Sequence, residues 1–418
     1  MKVLLATYAE RAHFLGMVPL AWALQNAGHE VRVASQPELT DVITATGLTA
    51  VPVGKNHILH QLSKRPEAWG EKPPPAFDFA ELRPEKLTWE YLGNGYGEQF
   101  VPWWCRVVND PMIRELTEFA LSWRPDLVVW EAVTYAGPIA AKACGAAHVR
   151  VLWSLDLFAR LRAAYLDLVR ERPGERHDAL AGWIEARGAR FGVRFSEDMA
   201  AGQATVDCMP ASIRLAGTGQ RYLPMRYRPY NGRAVVQDWM WTPPERPRVC
   251  LTLGTSATER LTGYSVSVQE LLDALADLDV ELVATIPEKE QAGLREVPDN
   301  ARIVPFVPLN ALLPSCSAVV NHGGAGTFLT SLVHGVPQLV VPYMFDDGLR
   351  AERLAELGAG LVREGALVSA ASVRADLVRL LTDDSFGRAA AGLQEEAAAM
   401  ATPRQLVAEL ERLVAERG

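Results

Sequence analysis

VVNHGGAGTFLTSLVHGVPQLVVP, from Val319 to Pro342, places a histidine, three glycines and a threonine between two apolar runs. SAVVNH reads as a buried strand ending on His322, GTFLTSLVHG as a helix and PQLVVP as the next strand. A turn from a parallel strand into a helix lies at the strand's carboxyl end, where such sheets bind ligands. Its glycines let the backbone come close, and the free N–H groups of the helix start suit a phosphate. His322 and Thr327 add side-chain donors. Taken alone, the stretch is equally a tight connection around a partly buried histidine. Leu329 stands where a dinucleotide fingerprint has its third glycine, and no lysine follows Gly326, so neither that fingerprint nor a Walker loop is present.

Outward from this stretch, strand and helix alternate. RVCLTLGTS, ELVATI, ARIVPFV and GLVR add strands around it, giving a parallel sheet from Arg248 onward. KVLLAT, EVRVAS and LTAVPVG, joined by helical segments, give a βαβαβ half-sheet at the N-terminus, continued by PDLVVWE and HVRVLWS. A loop is expected to carry the chain past His13 before the first helix, which stops at Gly28. Residues 55–110, with Trp89, Tyr91, Trp103 and Trp104, show neither period; they are either a functional irregular segment or helices packed on the sheet. The expected division is an N-terminal domain over 1–229, a Pro- and Trp-rich linker over 230–247 and a second domain over 248–400. A helix over 401–418 follows, with a Thr402–Gln405 capping box and Pro403 in its first turn, expected to cross between domains.

A chain of 418 residues exceeds one ordinary core, and 49% hydrophobic with 22% charged residues is a globular composition. A net charge of −8 disfavours nucleic acid as partner. The five cysteines lie far apart and form no CxxC pair, which suits reduced thiols. With no signal peptide pattern and no apolar run of about 18 residues, a cytoplasmic location away from the membrane is expected.

FVPLNALLPSCSAVVNHGGAGTFLTSLVHGVPQLVVPYMFDDGLRAERLAELGAG resembles the nucleotide-sugar signature of GT-B glycosyltransferases, and in particular the actinobacterial enzymes that decorate macrolides and related polyketides. HFLGMVPLAWALQNAGHEVRVASQPELTDVITATGLTAVPVG, WRPDLVVWEAVTYAGPIAAKACG and RVCLTLGTSA match in the same order, so the likeness spans nearly the whole chain. It implies an α/β fold of two doubly wound Rossmann-like domains facing a cleft. The implied activity is inverting transfer of a deoxysugar from a thymidine diphosphate sugar to a hydroxyl of a polyketide aglycone.

The resemblance also assigns residues. His322, Gly324, Ala325, Gly326 and Thr327 would hold the diphosphate, with Thr255 or Ser256 opposite, and Val307 to Leu309 would border the base. Asp346 fits the family's sugar-binding acid, while Asp347 stands where a glutamine is expected. That departure disfavours glucose and suits a deoxysugar, or an amino sugar whose ammonium pairs with the carboxylate. His13 occupies the general-base position, where imidazole suits proton removal from an alcohol, and Glu131 is the candidate to orient it, with Asp126 as rival. No cofactor is implied and no metal, since Asp277 and Asp279 alone match the DxD spacing of metal-dependent transferases at an ordinary helix end. A helper protein of cytochrome-monooxygenase ancestry is plausible from the family, and a homodimer is one assembly open to the chain. The competing readings are a catalytically silent sugar-nucleotide-binding subunit, a lipid-linked sugar transferase of the same fold, and a nicotinamide oxidoreductase.

Overall fold

The computed structural model describes residues 1–63, 77–172, 178–215, 218–254, 267–364 and 368–416. They form two compact units, one of residues 1–208, 214–226 and 401–418, the other of 209–213 and 227–400.

The first unit is built on strands β1 (Lys2–Ala6), β2 (Glu30–Ser35), β3 (Thr49–Pro52), β4 (Leu127–Glu131), β5 (Ala147–Val151), β6 (Thr205–Asp207) and β7 (Tyr222–Pro224). They are all parallel and lie in the order β3-β2-β1-β4-β5-β6-β7. The central strands are mostly apolar because helices cover both faces, and every residue of β4 and β5 is buried, His148, Arg150 and Glu131 included. The order reverses between β1 and β4, so the crevice at their carboxyl ends is the switch point where such sheets place ligands. Strands β6 and β7 were not anticipated from the sequence; each is only three residues long.

Helix α1 (Arg11–Asn26) starts earlier than expected and includes His13 in its first turn rather than in a loop. Glu10 caps it by accepting from the Ala12 N–H, and Phe14, Met17, Val18, Ala21 and Leu24 make the buried stripe. The described part of the segment without legible period is largely helical: Trp89–Asn94 continues through a π-helical stretch, Gly95–Val107, into α2 (Val108–Trp123). A π-helix closes i→i+5 bonds and shifts the side-chain repeat away from 3.6. Tyr96, Phe100, Val101 and Cys105 are buried from it. Helix α3 (Ala136–Cys144) joins β4 to β5, and α4 (Leu157–Glu171) follows β5.

The second unit has strands β8 (Arg248–Thr252), β9 (Glu281–Thr285), β10 (Ala301–Val304), β11 (Cys316–Asn321), β12 (Gln338–Val340) and β13 (Gly360–Val362). They are parallel in the order β10-β9-β8-β11-β12-β13, with the reversal between β8 and β11. Helix α5 (Ala325–Val333) links β11 to β12, and α6 (Asp347–Glu356) links β12 to β13. The stretch read as a linker is part of this unit: Trp239 and Met240 pack against the cluster of Cys250, Val283, Val304, Val307 and Leu312.

The last helix, α7 (Pro403–Ala415), carries the expected capping box with Pro403 in its first turn. It belongs to the first unit, where Glu411 lies 3.1 Å from His29 at the end of α1. All five cysteines are free thiols. Among the described residues no helix is long and apolar enough to cross a membrane.

Candidate active site

In the first unit the switch point brings two polar side chains together. His13 follows β1 and Glu131 ends β4, 118 residues later, and His13 Nδ1 lies 3.0 Å from Glu131 Oε1. Their side chains are 11% and 1% exposed. The carboxylate is held from its other side, since Oε2 accepts from Thr134 Oγ1 at 2.6 Å and from the Val133 N–H at 3.2 Å. Thr134 Oγ1 in turn accepts from the Tyr8 N–H at 3.0 Å. A carboxylate facing Nδ1 selects the Nδ1–H tautomer of a neutral ring, because a bare nitrogen would set lone pair against lone pair. Nε2 is then the basic nitrogen. The ring also stacks on Trp153, with centroids 4.0 Å apart and planes 20° apart, and meets Tyr8 edge-on at 5.2 Å. Asp126, the rival partner, instead accepts from the Lys2 backbone N–H at the foot of the sheet.

In the second unit the opening stretch stands at the other switch point. Strand β11 ends at Asn321, one residue earlier than read, and Asn321 Oδ1 accepts from the Gly323 N–H at 2.7 Å. Gln338 Oε1 on β12 holds the Asn321 amide from 3.0 Å away. The turn then passes through Gly323 at φ +90°, a conformation glycine adopts without strain. His322 is wedged between two glycines. A Cβ on Gly324 would lie 2.3 Å from its Nε2, and one on Gly254 would lie 2.5 Å from its Cε1. Burial lowers its pKa to about 4, outweighing the Thr252 backbone beside it, and nearby Arg350 lowers it further. The ring is therefore neutral at physiological pH, and its Nδ1 has no hydrogen-bond partner among the described residues.

Helix α5 begins immediately after. Gly324 is its N-cap and no side chain among the described residues caps it, so the helix start keeps its positive end for an anion. Gly326 and Thr327 lie in this first turn, and Tyr227 Oη sits 3.5 Å from the Gly326 carbonyl. Thr255 and Ser256, expected opposite, lie outside the described residues. Val307 turns its side chain into the core, whereas Leu309, opening the next short helix, is partly buried.

Asp346 and Asp347 do open α6, but they are not free carboxylates. Both are buried against Arg350, whose side chain is 1% exposed. Asp346 Oδ1 and Oδ2 accept from Arg350 Nη2 and Nε at 3.0 and 3.2 Å, and Asp347 Oδ1 accepts from Nη2 at 2.8 Å. Asp347 Oδ2 takes the Met344 N–H at 3.3 Å. Neither carboxylate caps the helix in the ordinary way, and a sugar ammonium would meet Asp347 only through an already paired group. Burial pushes Asp347 up to about 6; Arg350 pulls it down, but Asp346 adds to the rise. Burial opposes the charge of Arg350 too, yet the two carboxylates outweigh it and raise the guanidinium. Phe345, just before the pair, has φ +56°, a strained value for an aromatic residue. Asp277 and Asp279 are spent on surface pairs with Arg374 and Arg246.

Sequence reading missed Arg350, Trp153 and the Asn321–Gln338 pair. The DDGLR spacing, which sets both aspartates within one turn of an arginine, was the available signal for the first.

Solved structures similar to this chain include glycosyltransferases. One, the glycosyltransferase VinC in complex with DTDP, superposes with a TM-score of 0.91 at 42% identity, covering 100% of each chain. The present chain is a GT-B glycosyltransferase. It belongs to the family described as Erythromycin biosynthesis protein CIII-like, whose N-terminal domain matches residues 22–254 and whose C-terminal domain matches 269–413. Among its relatives, 10-deoxymethynolide desosaminyltransferase of Streptomyces venezuelae is 47% identical over 418 residues, 100% of this chain and 98% of that protein. Aclacinomycin-T 2-deoxy-L-fucose transferase of Streptomyces galilaeus is 46% identical over 427 residues, 100% of this chain and 97% of that protein.

Proposed function

We propose that this chain transfers a deoxysugar from a thymidine diphosphate sugar to a hydroxyl of a polyketide, with inversion, in the biosynthesis of an antibiotic. Relatives named for a desosaminyl group and for 2-deoxy-L-fucose, and a fold neighbour solved with DTDP, support donor and reaction class. The observation that carries the reading is the bond between His13 and Glu131, at the switch point of the first sheet. A buried carboxylate on Nδ1 is what a general base needs to present Nε2 in the right tautomer and to stabilise the imidazolium that forms.

His13 Nε2 takes the acceptor hydroxyl proton as the oxygen attacks the anomeric carbon, and the bond from that carbon to the diphosphate breaks. Negative charge then gathers on the leaving diphosphate. The uncapped start of α5, at Gly324 to Thr327, and the neutral His322 ring stabilise it without charge of their own. His322 Nδ1, which has no hydrogen-bond partner among the described residues, is in keeping with a ligand there, since a buried polar nitrogen left unpaired costs stability. Asp346 faces the sugar, with Arg350 fixing its orientation. Thr255 or Ser256 contacts the diphosphate, and Leu309, with the backbone of Val307, borders the base. No metal or cofactor enters these steps.

The reading extends to a cytoplasmic enzyme, in keeping with five free thiols, and to a homodimer, which light scattering tests. It also includes a helper protein of cytochrome-monooxygenase ancestry, on family likeness alone; full turnover by the purified chain argues against that partner. The central test pairs calorimetry with turnover. Thymidine diphosphate should bind in preference to uridine diphosphate and NAD, and His13→Ala should abolish transfer while keeping that binding. Equal turnover by His13→Ala removes the base assignment.

A further inference from the structure

We infer that Trp153 is a positioning residue for the reaction: its indole face is the surface that sets the plane of the His13 ring. The inference rests on the proposed role of His13 as base. A hydrogen bond at Nδ1 holds one corner of an imidazole but leaves the ring free to pivot about the Nδ1···Oε1 line. Such a pivot swings Nε2, the atom that must meet the acceptor proton. Trp153 removes that freedom by lying flat against the ring at 4.0 Å and 20°, while Tyr8 presents an edge at 5.2 Å and 85°. Carboxylate, flat face and edge together define one orientation, and the three come from the carboxyl ends of three strands: Glu131 from the last residue of β4, Trp153 from the loop after β5 and Tyr8 from the loop after β1.

The loop bearing Trp153 is built to be rigid. It runs from β5 to α4, and both ends are bonded. Leu152 N–H donates to the Val206 carbonyl at 3.0 Å. At the far end Asp156, itself buried, caps α4 through the Ala159 N–H at 3.0 Å and accepts from Tyr222 Oη at 2.8 Å. It also pairs with the fully buried Arg150, which takes Thr205 Oγ1 as a second partner. This buried network has no part in the chemistry proposed above. It clamps the short segment that carries the indole, and Phe158 from α4 packs beside Trp153 at 5.8 Å. A site holds its reacting geometry only when the supporting side chains are themselves locked.

The test compares Trp153→Phe, which keeps an aromatic face, with Trp153→Leu and Trp153→Met, which fill the space without one. At saturating donor and acceptor, the two aliphatic variants should lose about 10- to 100-fold in kcat, the scale of a small misplacement of a reacting group. KM for the donor should stay unchanged, and Trp153→Phe should recover most of the loss. In NMR spectra, the His13 Cε1–H resonance carries the ring-current shift of the indole. It should move in Trp153→Leu and Trp153→Met and stay displaced in Trp153→Phe. Wild-type kcat in either aliphatic variant, with His13→Ala inactive, overturns this inference and leaves the base assignment standing. An equal loss in all three variants, accompanied by a lowered Tm, also overturns it by making Trp153 a packing residue. An active His13→Ala removes the base assignment instead, and the resonance still reports whether the stack exists.

Discussion

Arg350 Nη1 donates to the Gly323 carbonyl at 2.6 Å, so the helix bearing the aspartate pair is bonded to the turn bearing His322. The same guanidinium holds Asp346 and Asp347 and lies 5.2 Å over the face of Phe328 on α5. One buried cation therefore ties together the expected sugar acid, the turn and the helix start.

Removing that cation takes the guanidinium away from two buried carboxylates and one carbonyl. Arg350→Met should lower the unfolding free energy by about 3–5 kcal/mol, the usual result of breaking a buried ion pair from one side. It should also weaken thymidine diphosphate binding through the Gly323 turn. Adding Asp347→Asn should restore part of the stability, because the repulsion between carboxylates falls. Denaturant unfolding of the single and double variants measures both effects. A double variant no more stable than Arg350→Met would show that charge is not what couples the cluster.

The glycines of the turn are not equivalent. Gly324→Ala places a methyl group 2.3 Å from His322 Nε2, in a ring already confined by Gly254. At Gly326 the nearest atom to a new Cβ is Tyr227 Oη, at 3.8 Å. Gly324→Ala should therefore weaken thymidine diphosphate binding by at least about tenfold, the effect of misplacing one or two charge-assisted donors. Gly326→Ala should bind within about threefold of wild type, since its backbone is already helical and alanine favours a helix. Calorimetric titration of the two variants separates them, and equal affinities would mean that His322 does not hold the nucleotide.

These differences mark what the sequence could and could not convey. Strands β4 and β11 were legible because burial on both faces leaves the apolar runs Leu127–Trp130 and Ala318–Val320. β6 and β7 are too short to show a period at all. The Gly95–Val107 segment was opaque for a different reason: π-helical spacing mimics irregularity. His13 was read in a loop because nothing marked Glu10 as a cap, although its carboxylate accepts the Ala12 N–H. The His13–Glu131 bond spans two strands and was reachable only by family likeness. The Arg350 partner of DD in DDGLR was missed because an arginine three or four residues along a helix is normally solvated. Here it is buried, and that depends on Phe328 and Gly323 from another helix and turn.

The aspartate pair gives a pH dependence whose sign discriminates between two accounts of Asp347. If burial dominates, as its rise to about 6 indicates, the folded protein binds this proton more tightly than the unfolded chain does. The group's contribution to stability is then full below the unfolded value, about 3.8, and is lost as pH rises through about 6. The unfolding free energy of wild type minus that of Asp347→Asn should therefore fall between roughly pH 4 and 7. His322 titrates in both proteins and cancels in the difference. If Arg350 instead dominated, the carboxyl would be held below its ordinary range and the difference would rise with pH. A falling difference also bears on the donor. It would mean that Asp347 is ionised near pH 7 at a cost in stability, which a cationic sugar would relieve and a neutral one would not. Donor kcat/KM ratios of wild type and Asp347→Asn, for amino and neutral sugars, then show whether that relief reaches the substrate.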